Sequence, residues 1–418
     1  MPLAIERYAL IGDTQTAGLV GDDGSIDWLC LPRFDSGACF AALLGDERHG
    51  RWRLAPAGTL RRVSRCYRPG TLVLETEFET AEGVVRVVDC MPPRGREPDV
   101  VRLVQGVRGR VAMRAELVIR FDYGSIVPWV RRRAGRLQAV AGPDALWLTS
   151  EVPLHGEGLT SVGEFSIGAG EEIGFVLAWT SSYEDPPQPE DASRLVADAT
   201  RWWREWSGRC AYEGRWTDDV LSSLVTLKAL TFAPSGGIVA APTTSLPEEL
   251  GGVRNWDYRF CWIRDAAFTL MALLQGGYLQ EAEAWRDWLL RAVAAQPEAM
   301  QILYGCAGER RLPERTLDWL PGYQGAAPVR VGNAAVGQLQ LDVYGELMDA
   351  SHQARAAGLA HAEWAWGLQG ALLDHLEGKW REPDEGIWEV RGGRQHFVHS
   401  KVMAWVAFDR AVRAVELP

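Results

Sequence analysis

The sequence changes its character at Tyr183-Glu184-Asp185-Pro186-Pro187-Gln188-Pro189. The prolines lack a backbone donor and, together with the acidic residues, give this stretch the composition of a solvated linker. Apolar residues alternate with a period of two before it and recur with a helical period after it. The pattern therefore predicts an N-terminal β domain over residues 1–190 and an α region beyond it.

The β region consists of short alternating or β-branched runs. Such runs occupy residues 72–79, 84–89 and 115–121 and are separated by Gly, Pro and Asp. The run Asp22-Asp23-Gly24-Ser25 lies between two further apolar segments and predicts a hairpin turn. Many short strands at this spacing are typical of an antiparallel sandwich.

The second region carries helical periodicity in long segments. Residues 191–215 form a predicted helical linker, and residues 216–418 form the predicted second large unit. Long, aromatic and glycine-rich stretches join its helices, and loops of that kind on a helical scaffold usually carry functional sites. The predicted helices cover residues 192–206, 217–231, 264–275, 279–296, 333–358, 362–379 and 395–417.

The chain is acidic, with 44 Lys and Arg against 55 Asp and Glu and a net charge of -11. Nucleic acid and anionic membranes reward clustered positive charge, so neither is expected as the main partner. The densest basic run, Arg131-Arg132-Arg133, is interpreted as a solvated face. No apolar stretch reaches the roughly 18 residues that would suggest a membrane span.

The seven cysteines are scattered and never spaced as C-x-x-C. An odd, scattered set favours free thiols in a reducing cytoplasm over a disulfide framework or a zinc site. Residues 1–7 also lack the basic and apolar segments of a secretory signal. A cytoplasmic protein is therefore expected.

The densest group of side chains that could carry chemistry is Asn255-Trp256-Asp257-Tyr258-Arg259-Phe260-Cys261-Trp262-Ile263-Arg264-Asp265. One interpretation places Asp265 in a first helical turn, paired on the surface with Arg264 or Arg259. The other is sugar binding, because hydroxyls need both donors and acceptors while ring faces need apolar surface. The 19 tryptophans suit a large core and sugar stacking equally.

This run and others in the same order along the chain resemble glycoside hydrolase family 15, which contains glucoamylases, glucodextranases and bacterial trehalases. The resemblance covers nearly the whole chain. It implies an N-terminal antiparallel β-supersandwich followed by an (α/α)6 toroid, here partial, with the sugar site at the mouth of the toroid. The other matching runs are residues 11–13, 23–36, 240–248, 322–325, 328–333 and 399–405.

By this resemblance, Trp262, Arg264 and Asp265 match the family's Trp-x-Arg-Asp element. Its Arg and Asp hold hydroxyls of the terminal glucose, where a fixed guanidinium fork selects orientation as well as affinity. Trp262 is expected to supply a stacking face. The further candidate substrate contacts are Trp388, Arg330 and Asn333.

Glu389 matches the family's general acid, which follows a tryptophan as in Trp388-Glu389. That role needs a carboxyl group that stays protonated near neutrality, so its pocket must raise its pKa. Glucoamylase-like members often carry a second glutamate where this chain has Val390, so the resemblance does not imply maltodextrin specificity.

An inverting hydrolase also needs a second carboxylate that activates water from the opposite face. Asp257, Glu314 and Asp318 lie in site-forming loops, but none matches the family base, and no base is assigned in this chain. About six long helices follow Thr217, whereas the implied toroid needs twelve. The chain is therefore expected to be the N-terminal portion of a longer hydrolase, or to form an oligomer, since half a toroid leaves apolar faces uncovered.

The expected function is exo-acting, inverting hydrolysis of terminal α-glucosidic bonds in a maltooligosaccharide, an isomaltosaccharide or trehalose. One alternative is a non-catalytic carbohydrate-binding protein, and another is a glycoside phosphorylase of similar architecture. His396 and His399 could offer two metal ligands, but no third is evident. No metal or other cofactor is expected.

Overall fold

The structure is a computed structural model that describes residues 2–95, 97–294, 299–359 and 363–416. The helix ends predicted at residues 296, 362 and 417 lie outside these ranges. The described part begins with an antiparallel β domain and continues into helices, so the two predicted classes of secondary structure are confirmed.

The β domain is one system of 15 connected strands, all paired antiparallel. The strands are β1 (Tyr8–Gly12), β2 (Ala17–Gly21), β3 (Ser25–Cys30), β4 (Ala38–Phe40), β5 (Arg51–Pro56), β6 (Leu60–Tyr67), β7 (Leu74–Thr80), β8 (Gly83–Cys90), β9 (Asp99–Val118), β10 (Trp129–Arg133), β11 (Arg136–Ala141), β12 (Asp144–Ser150), β13 (His155–Glu157), β14 (Thr160–Gly168) and β15 (Glu172–Ser181).

The long strand β9 belongs to both layers of a sandwich. Its first half pairs with β8 and β15, and its second half pairs with β5 and β14. Gly106 lies where β9 passes between the layers, and a Cβ there would meet the Gly168 carbonyl oxygen at 1.9 Å. Apolar side chains from both layers, including Trp52, Leu146 and Phe175, fill the space between them. This arrangement agrees with the expected antiparallel sandwich.

Seven helices and four short strand pairs follow in the described residues. The helices are α1 (Ala192–Ser207), α2 (Thr217–Ala229), α3 (Ile263–Gln275), α4 (Leu279–Val293), α5 (Asp342–Ala356), α6 (Glu363–Lys379) and α7 (Val398–Glu416). The strands are β16 (Thr231–Phe232) with β17 (Gly237–Ile238), β18 (Thr244–Pro247) with β19 (Asn255–Asp257), β20 (Cys261–Trp262) with β21 (Leu303–Tyr304), and β22 (Arg315–Thr316) with β23 (Arg330–Val331).

The structure differs from the predicted helix over residues 333–358. A short 3-10 turn, Ala334–Gly337, is followed by an extended segment, and α5 begins only at Asp342. The backbone N–H groups of Leu339 and Leu341 donate to the carboxylates of Glu385 and Asp384 instead of continuing a helix. Side-chain acceptors from a distant loop therefore replace helical hydrogen bonds here, which a local pattern could not show.

A buried ion pair holds the helical region to the β domain. Arg259 and Asp257 are both buried, and Arg259 Nη2 lies 2.7 Å from Asp257 Oδ2. Arg259 Nη1 also donates to the Ser36 carbonyl at 2.9 Å, and the indole of Trp28 donates to the Pro242 carbonyl at 2.8 Å. Because charged groups at this depth need such partners, the pair fixes the segment that leads into α3.

Candidate active site

The N-terminus of α3 carries the Trp262, Arg264 and Asp265 cluster that the sequence singled out. Trp262 ends β20, which pairs with β21, and Arg264 and Asp265 occupy the first turn of the helix. Arg264 Nη2 lies 3.0 Å from Asp265 Oδ2, so the ion pair considered as an alternative is present. Asp265 nevertheless keeps 40% of its side chain exposed, which leaves carboxylate surface available to a ligand.

The loop between α6 and α7 brings Glu389 to this cluster. A bridge between Asp384 and Gln395 closes the base of the loop. The Glu385 N–H donates to the Leu339 carbonyl at 3.0 Å, and Gln338 Nε2 donates to the Glu389 carbonyl at 3.2 Å. The loop is therefore fastened along its length to the extended segment before α5.

Two neighbours orient the Glu389 carboxyl group. Trp262 Nε1 donates to Glu389 Oε1 at 2.7 Å, and Arg264 Nη2 lies 3.6 Å from the same oxygen. Arg264 Nη1 also donates to the Ile387 carbonyl at 3.1 Å, which ties the guanidinium to the loop. Glu389 itself has a φ of 51°, a left-handed conformation that costs a non-glycine residue about 1–2 kcal/mol. The contacts around the carboxyl group hold the residue in that conformation.

The pKa of Glu389 is raised above its ordinary value. Burial is the main cause, and the charge of Asp265 adds to it, while Arg264 and the Trp262 hydrogen bond oppose it. A carboxyl group in such surroundings keeps its proton to higher pH than a solvated glutamate does. It is thus suited to donate a proton to a leaving group.

Two further carboxyl groups, absent from the candidates that the sequence offered, interact electrostatically with Arg264. Asp342 begins α5, and Glu346 lies one turn later on the same helix. Both are buried, and the pKa of each is raised mainly by burial and is opposed by the charge of Arg264. The pKa of Glu346 reaches about 7. The sequence signal that could have found them is their spacing of four residues, which places both side chains on one face of a helix.

The Arg264 guanidinium therefore interacts electrostatically with four carboxyl groups, those of Asp265, Asp342, Glu346 and Glu389. Glu346, with its pKa raised to about 7, keeps its proton for part of the time near neutrality. Neither oxygen of Asp342 has a hydrogen-bond partner in the described part of the chain. The site is accordingly rich in acceptors that a ligand with hydroxyl groups could satisfy.

Trp262 does not provide the stacking face that was expected of it. Only 1% of the residue is exposed, and its ring lies 5.6 Å from that of Tyr258 at an angle of 43°. Its indole N–H is directed at Glu389 instead. Trp388, beside the candidate acid, is 82% exposed and has the open ring face that stacking requires.

Arg330 and Asn333 are held by protein contacts. Asn333 is buried; its side-chain oxygen accepts from the Ala335 N–H at 2.9 Å and its amide donates to the Asp257 carbonyl at 3.2 Å. The Arg330 guanidinium lies over the Trp256 ring at 4.4 Å and donates to the Val253 carbonyl. Both expected substrate contacts therefore have partners within the protein.

Arg330 is one half of a stack that fixes the loop of the candidate acid. Arg391 lies on Trp256 at 3.8 Å from the ring centroid, while Arg330 lies at 4.4 Å from the same centroid. Glu314 joins both cations, at 2.8 Å from Arg391 and 3.7 Å from Arg330. Since Arg391 follows Glu389 by two residues, these contacts anchor the loop close to the candidate acid.

The other carboxylates and histidines considered from the sequence lie in different surroundings. Asp257 forms an ion pair with Arg259, and Glu314 forms one with Arg391. Asp318 is exposed on its loop. His396 precedes α7 and is exposed, whereas His399 lies in the first turn with its Nδ1 buried, so the two do not share a helical face.

Within the described ranges, no group of three His, Cys, Asp or Glu side chains is placed to hold a metal. None of the helices described there combines the length and apolar character that crossing a membrane requires.

Comparison with known proteins defines the class. Residues 214–417 match the family described as glycosyl hydrolases family 15, and residues 1–154 match the trehalase-like N-terminal family. The chain belongs to glycosyl hydrolase family 15, as the motifs had implied. The crystal structure of a bacterial glucoamylase complexed with acarbose has a TM-score of 0.63 at 12% identity and covers 100% of this chain and 66% of that chain. This likeness confirms the fold, a β sandwich followed by helices of an α/α toroid.

Similar proteins of known name are trehalases. The trehalase of Mycobacterium tuberculosis is 35% identical over 444 residues, which cover 99% of this chain and 65% of the relative. Trehalase 1 of Sulfolobus acidocaldarius is 34% identical over 415 residues, which cover 98% of this chain and 71% of the relative. The chain thus spans about two thirds of the length of the curated relatives that it matches.

Proposed function

We propose that this chain provides the sugar-binding and acid-bearing part of an enzyme that hydrolyses trehalose. The observation that carries the proposal is the Glu389 carboxyl group, which is half-buried, has a raised pKa and accepts a 2.7 Å hydrogen bond from the Trp262 indole. The names of the full-chain relatives favour trehalose over the maltooligosaccharides and isomaltosaccharides that the sequence left open. Val390, in place of a second glutamate, agrees with that preference.

In the proposed reaction, the protonated Glu389 donates its proton to the glycosidic oxygen as the bond to the anomeric carbon breaks. Arg264 and Asp265 hold hydroxyls of the terminal glucose, one as donor and the other as acceptor. The exposed ring of Trp388 stacks on the neighbouring sugar. Water attacks from the opposite face with the help of a second carboxylate, and we assign no described residue to that role.

Inversion has a specific consequence for a substrate with two α-linked anomeric carbons. Attack at one carbon inverts it to β, while the departing glucose keeps its α configuration. Proton NMR during the first minutes should therefore show α- and β-glucose released in equal amounts. Two equivalents of α-glucose would identify a retaining mechanism and contradict the proposal.

The test of function compares the chain as given with a downstream-extended version of it. Each is incubated with trehalose, maltose and isomaltose, with and without inorganic phosphate, and free glucose is measured. Release of glucose from trehalose in either version, lost in Glu389→Gln, supports the proposal. Glucose phosphate formed only with phosphate would indicate a phosphorylase, and tight sugar binding without turnover in both versions would indicate a binding protein.

The cytoplasmic location is likewise proposed. All seven cysteines are free thiols, and five of them are buried. Burial raises the pKa of the Cys261 thiol well above its ordinary value, so this group stays in the unreactive thiol form. Fractionation of the native host cells, with an antibody against this chain, tests the location.

A further inference from the structure

A second concave region lies at an open end of the β sandwich. It has a volume of about 630 Å³ and is lined by the end of β9, by β10 and by the β13–β14 hairpin. Among the described strands, β10 pairs only with β11 and β13 only with β14, so both border the opening as sheet edges. All of its lining residues lie between Leu117 and Ser161, so the cavity is separate from the Glu389 site.

Arg120 places a positive charge in the wall of this cavity. Only 7% of the residue is exposed. Its Nη1 donates to the carbonyl of Ile119 at 2.6 Å and to that of Leu159 at 3.4 Å. No carboxylate of the described residues forms an ion pair with it, and burial alone lowers the pKa of its guanidinium. A buried cation that meets only carbonyl groups is costly unless an anion joins it.

Two exposed arginines lie at the opening of the cavity. Arg131 Nε donates to Gln138 Oε1 at 2.9 Å, and Arg132 Nη2 donates to the Leu154 carbonyl at 2.6 Å. Neither has a carboxylate partner in the part of the chain that the structure describes. None of the residues that line the cavity is Asp or Glu, although the Glu157 carboxylate lies 3.0 Å from Nε2 of the lining His155 and is paired with Arg114 at 2.9 Å. In a chain with a net charge of -11, the three lining arginines therefore make the cavity locally positive. All three residues of the basic run 131–133 are exposed, as expected of a solvated face, and two of them also line this opening.

The remainder of the lining is apolar. Leu117 and Ile119 are buried in the floor, and Val127, Val130 and Leu159 form an exposed rim. The volume lies within the range of roughly 300–1,000 Å³ that is usual for small-molecule sites. Guanidinium groups beside an apolar floor match a ligand that has an anionic head and a hydrocarbon part.

We propose that this cavity, the arginine cavity, binds a small amphiphilic anion such as an alkyl phosphate monoester. The head group lies between Arg120, Arg131 and Arg132, and the alkyl chain lies against Leu117 and Ile119. The guanidinium forks donate to the phosphate oxygens, and the buried charge of Arg120 gains the anion that the protein does not supply. The proposal does not depend on the proposed hydrolytic function.

Isothermal titration of the full chain with octyl phosphate, below its micelle concentration, tests the proposal. We expect one site per chain, with an affinity at least about tenfold higher than those for the neutral, sugar-free tetraethylene glycol monooctyl ether and for inorganic phosphate. Arg120→Gln should weaken octyl phosphate binding at least about tenfold, and its melting temperature shows whether it folds. If it does not fold, the double variant Arg131→Gln with Arg132→Gln provides the test, with the same expected loss.

Arg133→Gln is the matched control. Arg133 follows on the same strand but lies over the Trp147 ring at 5.8 Å and does not line the cavity, so binding should not change. Equal affinity for octyl phosphate and the neutral monooctyl ether would overturn the proposal, as would an unchanged affinity in a folded Arg120→Gln. A dimer in sedimentation that dissociates when Arg131 and Arg132 are replaced would assign the opening to a second copy of the chain and would also overturn it.

Discussion

The indole nitrogen of Trp262 donates a 2.7 Å hydrogen bond to Oε1 of Glu389, although the two residues are 127 positions apart in the chain. This bond joins the start of α3 to the loop between α6 and α7. It also links the position of the candidate acid to its titration, because it opposes the rise in the pKa of Glu389 that burial causes.

Glu389→Gln should reduce kcat of the active protein by about 10²- to 10⁴-fold, because the amide cannot donate the acid proton. The amide oxygen can still accept from Trp262, so the melting temperature should change little. Steady-state kinetics with trehalose and a thermal melt measure both effects. Glu382→Gln, which alters a carboxylate of the same loop that pairs with Lys379 at 2.9 Å, is the control and should retain activity. Equal activity in the two variants would exclude Glu389 as the acid.

Trp262→Phe should move the alkaline limb of the pH profile of kcat/KM to higher pH. The variant keeps a buried aromatic ring but loses the N–H whose hydrogen bond lowers the pKa of Glu389, so the acid stays protonated further into the alkaline range. The lost bond should also cost about 1 kcal/mol of stability. Trp285→Phe is a matched control, because this buried indole nitrogen has no hydrogen-bond partner among the described residues. An unmoved limb in Trp262→Phe would show that the bond does not set this pKa.

Glu346→Gln should flatten the dependence of stability on pH. The pKa of Glu346 is raised from 4.5 to about 7 in the folded chain, so the folded state binds a proton that the unfolded state has already lost. The stability that this bound proton contributes is therefore fully present below about pH 4.5 and is lost as the pH rises through about 7. The variant should melt about 2–4 °C above the parent protein at pH 8 and show no gain at pH 4. Glu377→Gln, on the exposed face of α6, should leave the slope as it is. A parallel shift at all pH values would assign the effect to packing instead of titration.

Trp256→Ala should loosen the loop that carries Glu389. The ring contacts the guanidinium groups of both Arg330 and Arg391, and each cation–π contact contributes about 0.5–1 kcal/mol at an exposed site. Hydrogen exchange should accelerate in residues 386–391, and kcat should fall together with stability. Trp216→Ala removes a comparable contact with Arg215, at 4.1 Å, and should leave exchange in that loop unchanged. Unchanged exchange in Trp256→Ala would contradict an anchoring role for the stack.

Local patterns predicted much of the architecture. The boundary between strands and helices at the proline-rich stretch after Tyr183 was predictable from the sequence. Both signals that mark it, the period of the apolar residues and the missing backbone donors of the prolines, are properties of residues close together in the chain. The break at Asn333 was not predictable in this way. The Leu339 and Leu341 N–H groups leave the helical pattern for carboxylates more than 40 positions away. Such partners come together only when the loop folds back on the segment before α5.

By itself, the sequence determined the order of strands and helices, the membership of family 15, and the candidates Arg264, Asp265 and Glu389. Only the tertiary structure decided that Trp262 is buried as a donor to Glu389, and that Asp342 and Glu346 interact electrostatically with Arg264. It alone showed Arg120 as a buried cation without a carboxylate among the described residues. The reason is physical: motifs and periodicity follow from residues close in sequence, whereas burial and charge interactions depend on distances in space, and these set the pKa values.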